Sequence, residues 1–150
     1  MNLKEKINND LKDAMRAKDK VRLETVRSIR ALILEFEKSG KDEEMTSEKE
    51  IALLTSAAKK RKESIEQFEK AGRTELAEKE KTELKIIQSY LPKQLSREEI
   101  ETEVGKLAAE IGATGKKDFP KLMPLAVKTL KGQAGGKEIK EIVEHILSGN

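Results

Sequence analysis

The chain has 150 residues, 36% hydrophobic and 39% charged, with 31 Lys+Arg against 28 Asp+Glu, three Phe, one Tyr and neither Trp nor Cys. That length fits one domain or two small helical ones, and the missing cysteine excludes disulfides, thiolate metal sites and a cysteine nucleophile. No run of about 20 apolar residues offers a spanning helix, and the charged start MNLKEKINNDLKDAM does not read as a secretory leader, so the expectation is a soluble cytoplasmic protein.

Leu3, Ile7, Leu11, Ala14 and Met15 recur at three- and four-residue steps and predict a first amphipathic helix. Asp19 interrupts it. A second helix puts Val26, Ile29, Ile33 and Phe36 on one stripe, with Leu32 beside it, and Ser39-Gly40-Lys41-Asp42 closes it with a glycine cap. Ser47 with Glu50 reads as a capping box opening a third helix, whose stripe is Ile51, Leu54, Ala58, Arg61, Ile65 and Phe68. Ala71-Gly72-Arg73-Thr74 turns the chain, Thr74 caps a fourth helix carrying Leu76, Glu80, Glu83, Leu84, Ile87 and Leu91, and Pro92 stops it. Helices three and four then form a long antiparallel hairpin.

Beyond Pro92 the helices are short. Ser96-Arg97-Glu98-Glu99 is a second capping box, followed by Ile100, Val104, Leu107 and Ile111 until Gly112 breaks the pattern. Asp118 is placed to cap a helix with Pro120 in its first turn and an irregular start around Pro124. Lys131–Gly136 is a loop, and Ile139, Ile142, Val143, Ile146 and Leu147 mark the last helix. The expected fold class is all-α and multihelical, with an N-terminal four-helix subdomain over 1–91, residues 92–95 as hinge, and a C-terminal three-helix subdomain over 96–150.

A net charge of +3 is too mild to announce a nucleic-acid binder, but its distribution is uneven. From Lys116 to Lys140 there are seven lysines and two acids, and from Lys12 to Arg30 seven cations and three acids. Arg61 stands where the third helix should present an apolar residue. Taking Gly72 as the turn, Arg61 and Glu83 lie equally far from it and Glu80 one turn away, so an ion pair across the seam is expected. Such a pair either fixes the register or serves a functional arginine. Glu80 and Glu83 as an acid/base couple have only spacing in their favour.

His145, the single histidine, has no cysteine or acidic cluster at ligand spacing and reads as a surface or interface residue; neither a metal, a cofactor nor a catalytic residue is expected. Gly132–Gly136 lacks the Gly-Lys-Ser/Thr ending and the preceding strand of a nucleotide loop. It is either a plain turn or, with Lys131 and Lys137 flanking a helix N-terminus, a place for an RNA phosphate. Phe119 is the one aromatic in the basic segment, so base stacking along a single strand is not expected, and any RNA would be read by backbone and shape.

Lys60-Arg61-Lys62-Glu63-Ser64-Ile65-Glu66-Gln67-Phe68-Glu69-Lys70-Ala71-Gly72-Arg73, then Leu76, Lys79-Glu80, Glu83-Leu84 and Tyr90-Leu91-Pro92-Lys93-Gln94-Leu95-Ser96, resemble the signature of YqeY-like proteins. That family is named jointly with a tail domain of the glutamine-dependent tRNA amidotransferases. Gly112-Ala113-Thr114, Lys117-Asp118, Val127-Lys128 and Lys131-Gly132-Gln133-Ala134 extend the likeness over the whole chain. The chain departs from the pattern at Phe119-Pro120, often Met-Gly in the family, and at Gly135-Gly136, often Asp-Gly.

The resemblance implies a tRNA-binding or amidotransferase-associated accessory module. Its candidate RNA surface is Lys116, Lys117, Lys121, Lys128, Lys131, Gly132 and Gln133. The amidotransferase joins carbon to nitrogen with glutamine as amide donor, and no residues here offer that chemistry. The implied partners are tRNA and an amidotransferase or other protein; the alternative is a helical protein-interaction adaptor.

Overall fold

Helical spacing of aliphatic residues, with charged residues between them, builds every regular element of the computed structural model, which describes residues 1–39 and 44–149. Among these residues there are seven α-helices: α1 (Leu3–Ala17), α2 (Lys20–Glu37), α3 (Ser47–Lys70), α4 (Thr74–Gln88), α5 (Arg97–Ile111), α6 (Phe119–Thr129) and α7 (Gly136–Leu147). A single 3₁₀ turn, Lys116–Asp118, precedes α6. No strand occurs among them, and no helix is long and apolar enough to cross a membrane. The glycine cap expected at Gly40 lies outside the described residues.

The chain divides into two compact units, Met1–Leu91 and Pro92–Asn150. In the first, α1 and α2 form one hairpin and α3 and α4 another, closing over Leu3, Ile7, Val26, Ile29, Ile33, Leu54, Ala58 and Ile87. Gly72, at φ 71°, takes the left-handed conformation that the α3–α4 turn requires. In the second, α5, α6 and α7 enclose a denser aliphatic core that includes Ile100, Val104, Leu122, Leu130, Ile142 and Val143.

The helix ends depart from the sequence reading in four places. The hydroxyl that caps α3 is Thr46, accepting from the Lys49 N–H, and Ser47 is the first helical residue, because either of two adjacent hydroxyls could serve. Arg73 occupies the cap position of α4 with no side-chain bond, so Thr74 lies inside the helix. α4 ends at Gln88, ahead of Pro92: Ser89, Tyr90 and Leu91 turn back through bonds to Ile86, Ile87 and Gln88. Asp118 reaches backwards, accepting from the N–H groups of Thr114 (2.9 Å) and Gly115 (3.2 Å), and gives no side-chain cap to α6.

The Ser96–Glu99 capping box forms in both directions, and Gly112 closes α5 at φ 67°. Pro124 sits inside α6, where its ring supplies no N–H.

Candidate functional site: a lysine-rich face on the C-terminal unit

Lys116 and Lys117 lie on the 3₁₀ turn, Lys121 and Lys128 on α6, and Lys131 just past its end, so the five lysines follow the segment from start to finish. All five are exposed. Lys128 follows Lys121 by seven positions, about two helical turns, which puts both on one side of α6, turned away from buried Leu122 and Ala126. On α7, Lys137, which the sequence reading sets beside the Gly132–Gly136 loop, and Lys140, which it does not name as a site residue, are exposed as well.

None of the seven lysines forms an ion pair among the described residues. Neither acid of the stretch stands within ion-pair distance of them. Asp118 is occupied by the Thr114 and Gly115 N–H groups, which hold its carboxyl below the ordinary aspartate value, with Lys117 and Lys121 adding to the effect. Glu138 sits in the first turn of α7.

Gly132 and Gln133 are not a free loop. Gly132 is buried at φ 80°, and its carbonyl accepts from the Gln94 side-chain amide at 2.6 Å. The same amide nitrogen donates to the Pro92 carbonyl at 2.8 Å, and the Leu95 N–H donates to the Gln133 carbonyl at 2.9 Å. The N–H groups of Gln133 and Ala134 turn inward to Leu130. The Leu-Pro-Lys-Gln-Leu and Lys-Gly-Gln-Ala motifs thus meet in one hydrogen-bonded clasp. These backbone groups of Gly132, Gln133 and Ala134 serve structure, while Lys131 is exposed and the Gln133 side chain half-exposed. At its far end Gly135 opens α7 without a side-chain cap, leaving the first N–H groups of that helix beside Lys137.

The N-terminal unit holds its polar cluster at the α3–α4 seam. Arg61 Nη1 stands 2.9 Å from Glu83 Oε2 and 3.3 Å from Glu80 Oε2. Glu83 is nearly fully buried, and its Oε2 accepts no well-directed hydrogen bond. Burial pushes its carboxyl above the usual range and nearby Glu80 pushes the same way, while Arg61 opposes them. One arginine serving two carboxylates across two helices is what a register-fixing contact requires. Lys79 and Glu24, themselves paired at 3.5 Å, lie close enough to act on Glu83 with opposite signs.

Elsewhere in this unit Tyr90 donates its hydroxyl to Asp10, which also faces Arg22 at 3.5 Å. Burial and the Asp10 bond raise the phenol well above its ordinary value. His145 is exposed near the end of α7, on the rim of an open groove of about 1030 Å³ lined also by Arg97, Glu101, Lys116, Phe119 and Glu141. Arg97 bridges Glu101 and Glu141 in that groove at 3.6 and 3.5 Å.

Residues 4–147 match the family described as "Yqey-like protein". Among curated proteins, "Altered inheritance of mitochondria protein 41, mitochondrial" of Pyrenophora tritici-repentis is 34% identical over 143 residues, covering 89% of this chain and 77% of its own. The proteins of the same name in Kluyveromyces lactis and Lachancea thermotolerans are 34% and 38% identical over 70% of this chain. The chain spans 58% and 57% of their lengths.

These relatives correct the cytoplasmic expectation, since each is mitochondrial by name. That expectation rests on the missing cysteines and leader pattern, and a chain with no thiol is indifferent to the redox state of its compartment.

Proposed function

The chain belongs to the YqeY-like protein family, and on that footing we propose that it is a non-catalytic accessory module that grips structured RNA, tRNA first, through the lysine face of its C-terminal unit. The observation that carries this reading is the run of seven exposed lysines between Lys116 and Lys140, none neutralised by an ion pair among the described residues. Cations without protein partners keep their full attraction for phosphate, and each phosphate neutralised releases condensed counterions. Lysine is a point charge on a flexible stem, so such a face positions a backbone without reading bases. The likeness to the amidotransferase tail domain supports tRNA as the RNA and an amidotransferase as the enzyme it accompanies.

A salt series of tRNA binding tests the proposal. We expect about micromolar affinity at low salt, with a log–log slope of about −4 to −6 as five to seven lysines engage phosphates. A slope near zero, or no binding at low salt, rejects it.

The adaptor reading draws its support from the groove beside His145, whose alternating charges (Arg97, Glu101, Lys116, Glu141) suit a protein segment. Binding of a protein partner through that groove would persist in Lys117→Glu/Lys131→Glu, two positions outside it, whereas RNA binding would weaken.

A further inference from the structure

The second basic stretch, Lys12 to Arg30, is not absorbed by that reading and lies wholly in the N-terminal unit. Lys12 and Arg16 are one turn apart on α1, and Lys20 and Arg27 are two turns apart on α2, so each pair shares a face of its helix. The contacts Lys4 to Glu37 (2.8 Å) and Arg30 Nε to Asn8 (3.3 Å) fix the antiparallel register of the hairpin. In that register Lys12 comes level with Arg27, and Arg16 with Lys20. Lys18 follows at the tip in the left-handed conformation, φ 55°. All five cations are exposed and none has an ion partner among the described residues.

The carboxylates of the hairpin are mostly committed elsewhere. Glu5 and Asp19 cap the two helices, Asp10 holds Tyr90 and Arg22, Glu24 faces Lys79, and Glu37 faces Lys4. Only Asp13 and Glu35 remain, against these five cations and, along the same hairpin, Lys6 and Arg30, which have no ion partner either. This segregation separates the face from an ordinary mixed surface, where exposed charges of both signs alternate.

We propose that this face of the α1–α2 hairpin is a second RNA-phosphate surface, separate from the lysine face of the C-terminal unit; the choice of RNA rests on the reading of that unit. Cations one turn apart lie about 6 Å from each other, close to the spacing of successive phosphates on a nucleic-acid strand. Anionic lipid is the competing polyanion and fits less well. A membrane-surface helix presents bulky apolar side chains below its basic rim. Here Leu11 and Leu23 are half-buried, which leaves Met15 as the one large apolar side chain exposed among the cations.

The test uses the full chain and unfractionated tRNA over a salt series, with Lys12→Glu/Arg16→Glu/Arg27→Glu set beside Lys117→Glu/Lys131→Glu. The hairpin variant is expected to lose affinity by about tenfold or more at low salt and to flatten the slope by about 3. Unchanged affinity and slope overturn the proposal, and leave the C-terminal reading standing if the lysine pair still matters. An effect of the hairpin variant alone upholds this surface and removes the C-terminal one. Absence of tRNA binding by the unaltered chain removes both.

Vesicles of phosphatidylglycerol and phosphatidylcholine supply the lipid arm. Vesicle binding lost in the hairpin variant, with tRNA affinity intact, overturns the proposal in favour of membrane. If the triple reversal lowers helicity by circular dichroism, Lys12→Gln/Arg16→Gln/Arg27→Gln decides, with a smaller loss of slope expected and none refuting.

Discussion

The two units solve the shortage of apolar residues differently. The N-terminal unit is two thin hairpins whose largest core cluster has eight buried apolar residues, and it stitches helix to helix with charge: Lys4–Glu37, Lys79–Glu24, Lys81–Glu69 and the Arg61–Glu80–Glu83 cluster. The C-terminal unit is shorter yet gathers ten buried apolar residues into one cluster. Its ion pairs involve α5 and its neighbours (Lys93–Glu99, Arg97–Glu101, Arg97–Glu141, Lys106–Glu103), leaving α6 and the start of α7 unpaired. An aliphatic core that holds three helices together frees their outer lysines from structural duty. In the N-terminal unit many charges are already spent on the fold, and the outer face of α1–α2 is the exception.

The sharpest way to break this contrast is in the cores. Leu122→Ala should destabilise the C-terminal unit by about 2–5 kcal/mol, since Leu122 is fully buried. Urea unfolding followed by circular dichroism measures it. A cost under about 1 kcal/mol would mean this core is looser than described.

Next comes the seam. Arg61→Leu strands two carboxylates, one of them buried, and should cost about 2 kcal/mol, below the range for fully buried pairs because Arg61 keeps 27% of its side chain exposed. Glu83→Gln tests the same contact through pH. A carboxyl whose folded pKa is raised contributes stability that is fully present below its unfolded value, near 4.5, and is lost as pH rises through the folded value. The melting temperature of Glu83→Gln relative to the unaltered chain should therefore climb between pH 4 and pH 7, with 4 and 7 chosen to span roughly that window.

The C-terminal unit carries the opposite sign. Glu99, held down first by the Ser96 N–H, and Asp118, held down by Thr114 and Gly115, have lowered pKa values. Their stabilisation is present above the unfolded values and lost as pH falls through the folded ones. Acid should weaken the C-terminal unit through these groups while relieving Glu83 in the N-terminal one. Unit-resolved amide exchange at two pH values reads the difference.

Smaller effects remain at the ends. Ser96→Ala removes a capping hydroxyl and should cost about 1 kcal/mol. Gln94→Ala removes the bridge between the Pro92 and Gly132 carbonyls and should cost about 1 kcal/mol, raising amide exchange around Gln133.

Much of this was legible in the sequence because helices announce themselves by period. The stripes Leu3–Ile7–Ala14, Val26–Ile29–Ile33 and Ile139–Ile142–Val143 are the buried faces. The placement of Arg61 among apolar neighbours pointed to carboxylates across the turn. Helix ends read less well, since Thr46 and Ser47 offer equivalent hydroxyls one residue apart and Asp118 had two directions in which to bond.

The clasp was invisible. It joins residues 38 positions apart through backbone carbonyls, which carry no residue-specific signal. Lysine positions could be read directly. Their lack of partners could not, because pairing depends on which helix face meets which.

The central claim is that the C-terminal lysine face holds structured RNA through phosphate contacts. The direct measurement is a tRNA binding isotherm at fixed low salt for the unaltered chain and for Lys117→Glu/Lys131→Glu, with helicity checked for both. The account predicts affinity weakened by about tenfold or more and a salt slope shallower by about 2, with the helical signal unchanged. Equal affinity for the two proteins, or no binding by either, would contradict it.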